Sequence, residues 1–189
     1  TSTDDLYVLS GTLDVDAADD GLRGKDSLTV AGGTVSVSTG GDGLKSDQDA
    51  GPTQGYVHIS GGTVSVTSAG DGIDAHTDVV LTGGSVGVTS GGGASAGKTE
   101  TSAKGLKAGT FLVVDGANVE VDSGDDALHS KGALRLSSGT LTLATGDDGI
   151  HAEVAAVLDG ADVTVTQSEE GLEAGLVTIS NGSVDITAS

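Results

Sequence analysis

Apolar residues recur along this chain in short alternating runs broken by glycine-rich corners. Leu28 and Val30 form one run and Val35 and Val37 a second. Leu44 stands alone as a third station before the cycle restarts at Val57 and Ile59. Alternation with a period of two marks strands with one face turned inward, and three stations per cycle predict a three-sided prism. The corner before the lone station carries a motif that recurs seven times: two acidic or small residues, a glycine, an aliphatic residue, then a variable polar one. It reads Asp19-Asp20-Gly21-Leu22-Arg23 in its first copy, Gly41-Asp42-Gly43-Leu44-Lys45 in its second, and Asp147-Asp148-Gly149-Ile150-His151 in its sixth. The fourth copy, Ala103-Lys104-Gly105-Leu106-Lys107, departs from the acidic pattern. The second motif position falls at 20, 42, 71, 104, 126, 148 and 170, in steps of 22, 29, 33, 22, 22 and 22.

A repeat of this kind cannot fold one unit at a time. A single unit hides about five aliphatic side chains, too few to offset its ordering entropy, whereas stacking pairs each backbone with its neighbours and buries a column of Val and Leu. Parallel strands joined by such connections are expected to wind right-handed. The sequence therefore predicts an all-β chain: a right-handed parallel β-helix of 22-residue coils, about seven or eight of them, forming a single domain over 1–189. Loop insertions are expected near 47–55, which holds the lone proline Pro52, and near 91–102, where Gly, Ser and Ala are abundant.

Composition fits a thin aliphatic core. The chain has 33 glycines, one proline, no cysteine, and only Tyr7, Tyr56 and Phe111 as aromatic residues. Its charge adds a constraint. With 28 Asp and Glu against 8 Lys and Arg, the formal net charge is −20. Such a chain repels phosphates and anionic lipid surfaces, so neither nucleic acid nor a membrane surface is expected as partner. No apolar run approaches the length of a transmembrane helix.

Stacking would place the motif acids above one another. Adjacent carboxylates about 5 Å apart repel by on the order of 3 kcal/mol at an effective dielectric near 20, before screening. Hard divalent cations relieve this, and Ca²⁺ accepts six to eight oxygens in flexible geometry. The expected Ca²⁺ ligands are Asp19 and Asp20, then Asp42, Asp47, Asp71 and Asp74 (with Asp78 beside them), then Asp125, Asp126, Asp147, Asp148, Glu169 and Glu170. Lys104 is read as a break in the ladder, its ammonium replacing a metal. The chain lacks cysteines for soft metals, and His129 and His151 are too few to suggest a zinc site.

The strings at 41–47, 55–75, 102–108 and 146–152 (Gly-Asp-Gly-Leu-Lys-Ser-Asp, the long Gly55–Ala75 segment, Ser-Ala-Lys-Gly-Leu-Lys-Ala and Gly-Asp-Asp-Gly-Ile-His-Ala) resemble one family. It is the bacterial carbohydrate-binding domain-containing family of secreted parallel β-helices, related in shape to pectate lyases. The resemblance implies an extracellular or cell-surface location, bound Ca²⁺, and affinity for plant-type polysaccharide such as polygalacturonate or cellulose. The chain is expected to be a monomeric domain of a larger secreted protein. On the residues themselves, three aromatic rings make no stacking platform, so an acidic polymer would be held through shared Ca²⁺. Arg23, Lys45 and Lys107, each following the aliphatic station, are candidate partners for uronate groups, or equally a charge balance for the acids. The acids repeat on every coil and no catalytic motif accompanies them, so a non-catalytic module is expected. The rivals are a pectate-lyase-like lyase and a calcium-stiffened adhesin or spacer without sugar affinity.

Overall fold

Strict alternation decides the strands. In Thr34–Thr39 the side chains of Val35, Val37 and Thr39 are buried while Thr34, Ser36 and Ser38 face solvent, and Thr63–Ser68 repeats the pattern. The computed structural model describes residues 1–189 and contains parallel strands with one short 3₁₀ turn at Ala94–Ala96. No helix is long and apolar enough to cross a membrane.

Two sheets result. The larger, of 12 strands, has two arms. One arm holds β1 (Asp5–Val8), β4 (Ser27–Val30), β7 (Tyr56–Ile59) and β10 (Asp78–Leu81); the other holds β2 (Thr12–Ala17), β5 (Thr34–Thr39), β8 (Thr63–Ser68) and β11 (Ser85–Ser90). Both arms run into the long strands β13 (Phe111–Ser123), β15 (Ala133–Thr145), β17 (Ala155–Gln167) and β19 (Val177–Ile186). The second sheet has seven short strands: β3 (Leu22–Arg23), β6 (Leu44–Ser46), β9 (Ile73–Ala75), β12 (Leu106–Ala108), β14 (Leu128–Ser130), β16 (Ile150–Ala152) and β18 (Leu172–Ala174).

This arrangement corrects the expected right-handed parallel β-helix. The strands do not form the three separate faces of a prism; they form one sheet curled into a half-barrel and a second, smaller sheet. The cause lies at the corner between the first two stations. In the early repeats the strand stops before the corner and resumes after it, as between Val30 and Thr34. In the later repeats hydrogen bonding continues around the corner, through register shifts between Val114 and Asn118, so two expected faces become one sheet. The all-β class stands.

Register carries the repeat. Leu6 pairs with Leu28, Leu28 with Val57, Val57 with Val79, Val79 with Leu112 and Leu112 with Leu134. From Leu28 onward the column lies inside, part of one cluster of 36 buried apolar residues against which Leu6 packs. Residues 47–55 and 91–105 leave the strands between β6 and β7 and between β11 and β12, where they flank the outer face of the second sheet.

The third motif position packs too tightly for a side chain at most corners. A Cβ on Gly43 would lie 2.2 Å from Val66 Cγ1 and 2.4 Å from the Gly72 carbonyl oxygen, whereas one on Gly51 meets nothing within 4 Å. Gly43→Ala is therefore expected to lower the urea midpoint by the equivalent of about 1–3 kcal/mol, the usual cost of overpacking. Gly51→Ala should stay within about 0.5 kcal/mol of the parent. Equal effects of the two would contradict the packing described.

Candidate functional site

Two columns run side by side along the second sheet. One is the corner column, Asp20, Asp42, Asp71, Lys104, Asp126, Asp148 and Glu170. The other is the outward position of each short strand: Arg23, Lys45, Asp74, Lys107, His129, His151 and Glu173, in register. Each corner residue precedes its strand neighbour by three positions, and at Asp42–Lys45, Asp126–His129 and Asp148–His151 the carboxylate lies 2.6 to 3.0 Å from the strand nitrogen.

In the upper half the carboxylates form a ladder. The Asp42 N–H donates to Asp20 Oδ1 at 3.0 Å, the Asp71 N–H to Asp42 Oδ1 at 2.8 Å, and the Lys104 N–H to Asp71 Oδ1 at 2.8 Å. Each aspartate thus satisfies a corner amide of the following repeat, a charge-assisted bond that a buried amide would be costly to lose. This explains the small residue before Asp42, Asp71 and Lys104. A Cβ on Gly41 would lie 2.8 Å from Asp20 Oδ1, and one on Gly70 would lie 2.6 Å from Asp42 Oδ1. The lysines fill the spaces between rungs. Lys45 Nζ lies 2.6 Å from Asp42 and 3.4 Å from Asp20, and Lys107 Nζ lies 2.7 Å from Asp71 and 3.2 Å from Asp74. Arg23 forks onto Asp47, with N–O distances of 2.7 to 3.1 Å. The three cations singled out for uronate thus already hold carboxylates of the chain itself.

Lys104 does not break the ladder, since its amide is the rung that Asp71 holds. Its ammonium turns toward the following repeat, 3.0 Å from Asp125 Oδ1 and 2.7 Å from Asp126 Oδ2. Lys98, from the 91–105 segment, reaches the same group, bonding Asp147 and lying 3.7 Å from Asp125. Here aspartate replaces the small residue, and the carboxylates crowd. Asp125 is wholly buried; its Oδ1 accepts the Asp126 N–H at 2.8 Å, while its Oδ2 has no hydrogen-bond partner. One oxygen each from Asp125, Asp126 and Asp147 lies within 4.8 Å of the others, and the same holds for Asp42, Asp71 and Asp74.

Other expected ligands lie apart. Asp19 is exposed, Asp47 is held by Arg23, and Asp78 accepts the Phe111 N–H on the large sheet. Glu169 and Glu170 are exposed but line a groove of about 340 Å³ with Asp126, Asp147 and Asp148. Sequence reasoning missed Lys98, Glu173 and the two histidines as members of this group. The 22-residue spacing of His129 and His151 is a signal that could have found the latter pair.

Electrostatics separates the acids. Burial opposes ionisation of Asp126, but hydrogen bonds from His129 and Lys104 outweigh it and hold the carboxyl well below the usual range. Asp148 is pushed up to about 6 by burial and by the Asp126 charge, against the hydrogen bond with His151. Burial likewise raises Asp71 despite Lys107.

Two outcomes follow for the metal-free protein. Asp42→Ala leaves the Asp71 amide unpaired and should cost about 1–3 kcal/mol in urea unfolding, while Asp42→Asn retains a carbonyl acceptor and should cost less. Asp148 has a folded value above its unfolded one, so the native state binds its proton more readily. Its contribution to stability is greatest below pH 3.8 and falls as pH rises to about 6. Melting midpoints between these values should show that fall, about 1–2 kcal/mol after allowance for solvent screening. Asp148→Asn should flatten it.

No curated protein and no solved structure matches the chain. A family model described as "Carbohydrate-binding domain-containing protein" matches residues 1–149. The match spans the ladder and the Asp125–Asp148 group and stops short of His151, Glu169, Glu170 and Glu173. The chain belongs to this carbohydrate-binding domain-containing family.

Proposed function

We propose that this chain is a non-catalytic, extracellular carbohydrate-binding module that holds Ca²⁺ at its crowded acidic group and takes acidic plant cell-wall polysaccharide, polygalacturonate before cellulose. Family membership supports the carbohydrate partner. The observation that carries the metal is Asp125 Oδ2, a buried carboxylate oxygen without a partner beside Asp126 and Asp147. An unpaired buried anionic oxygen is costly, and a hard cation with an appetite for oxygen ligands is the group that removes the cost. Asp125, Asp126 and Asp147 would hold the ion, with Lys98 and Lys104 able to swing aside because both are long and flexible. Asp42, Asp71 and Asp74 offer a second oxygen set, already served by Lys107.

A chain of charge −20 meets a uronate polymer unfavourably unless cations lie between them. Bound Ca²⁺ supplies that bridge. Beside the ladder, a polar groove of about 370 Å³ is lined by Asp47, Asp74, His76, Thr77, Lys107 and Lys131 among others. It offers sugar hydroxyls both donors and acceptors, and Lys131 adds an ammonium for a uronate. Non-catalytic action fits the committed state of Arg23, Lys45 and Lys107, since a cation already bonded to carboxylates is a poor general base.

The test is a thermal melt in EDTA, then with Ca²⁺, followed by a polygalacturonate pull-down in both states. Ca²⁺ at a hundred times its Kd should add about 2.7 kcal/mol, which raises Tm by about 5–10 °C for a domain of this size. Asp125→Asn should abolish most of that rise and the calcium-dependent pull-down together. An unmoved midpoint at saturating Ca²⁺ would sink the metal assignment. Steady release of unsaturated product would sink the non-catalytic one.

A further inference from the structure

Below the oxygen-only group the outward column changes chemistry. His129 and His151 occupy paired positions on β14 and β16, so their imidazoles stack with centroids 5.0 Å apart and planes inclined by 49°. His129 Nδ1 lies 2.8 Å from Asp126 Oδ2, and His151 Nδ1 lies 3.0 Å from Asp148 Oδ2, 3.9 Å from Asp126 Oδ2 and 3.7 Å from Glu173 Oε2. Both aspartates are nearly buried, with 2% and 7% exposure, and His129 is 9% exposed. The groove they share contains six carboxylates, two lysines and two histidines, with no apolar residue.

We infer that His129 and His151, with Asp126 and Asp148, form a second cation site, selective for imidazole-preferring divalent metals of the Zn²⁺ class. Four donors at Zn²⁺ bonding lengths in a tetrahedron stand about 3.3–3.6 Å apart. One donor atom each from Asp126, His129 and His151 already lies within 4.8 Å of the others, and Asp148 joins them through His151 at 3.0 Å. Glu173, half-exposed at the mouth, is placed to exchange with Asp148 as an oxygen donor. Ca²⁺ takes oxygen ligands, whereas imidazole suits Zn²⁺, Cu²⁺ and Ni²⁺, so the nitrogen pair discriminates between the two kinds of metal. A ligand set drawn from two successive repeats would also tie β14 to β16 through side chains as well as through backbone. The site shares Asp126 with the proposed calcium set, but it rests on the two histidines, which that set does not use. His151 and Glu173 lie beyond the residues that the family model matches.

The experiment uses the full chain without a histidine tag. Metal-free protein is titrated with Zn²⁺ by calorimetry, and loaded with one equivalent of Cu²⁺ for electron paramagnetic resonance. Nitrogen hyperfine coupling from two imidazoles is expected. His129→Gln and His151→Gln should each weaken Zn²⁺ binding at least about tenfold. His58→Gln, on the large sheet and bonded to Thr82, should leave it unchanged. A Cu²⁺ spectrum without nitrogen coupling overturns the assignment, and so does unaltered Zn²⁺ affinity in the His129→Gln/His151→Gln double variant. The resonance measurement needs no variant, so it remains decisive even if a substitution impairs folding. Loss of the Ca²⁺-induced melting shift with the nitrogen signal intact would remove the calcium reading alone; the converse would remove only this site.

Discussion

Parallel pairing at a fixed offset sets each residue beside its own counterpart one repeat away, and the rest of the structure depends on that constraint. For apolar side chains the result is favourable, because Leu28, Val57, Val79, Leu112 and Leu134 stack into a column that no single repeat could bury. For carboxylates the same rule is costly, since like charges are brought opposite one another. A chain with this register must neutralise its acidic columns locally, and it does so in two different ways.

The upper half spends each carboxylate twice. One oxygen of Asp20, Asp42 or Asp71 accepts the corner amide of the next repeat, and lysines sit against the second oxygens. A glycine or alanine ahead of each amide leaves space for the incoming carboxylate. From Asp125 onward that space is taken by a second aspartate. The amide of Asp148 then lies 3.4 Å from Asp126 Oδ1, a longer contact than those above, while Asp125 turns its Oδ1 to its own neighbour. Two lysines arrive from elsewhere, yet one buried oxygen stays unpaired. Negative charge is therefore less fully compensated at this end of the sheet.

Carbohydrate recognition in this chain has to be built without aromatic stacking. Tyr7, Tyr56 and Phe111 stand on different strands of the large sheet, with Tyr7 and Phe111 exposed singly. What the second sheet and its flanking segments offer instead is a dense array of carboxylates, ammoniums, hydroxyls and imidazoles. Such a surface offers a carbohydrate charge and hydroxyl hydrogen bonds in place of stacking, and its charge contacts depend on ionic conditions.

By itself the sequence determined the strands, their alternation, the 22-residue offset and the identity of the acidic column. These are local or periodic properties, and glycine spacing with Val and Leu alternation states them directly. Tertiary structure decided what the sequence left open. It merged two expected faces into one curled sheet, because in the later repeats the strand runs on through the corner near Gly116. It turned Lys104 from a break into a rung, because its backbone amide bonds independently of its side chain. It paired Arg23, Lys45 and Lys107 with internal acids, carried Lys98 from a distant segment onto Asp147, and brought His129 and His151 against buried aspartates. Periodicity names the column in which a side chain lies; which neighbour it turns toward depends on space and charge that exist only after the repeats have stacked.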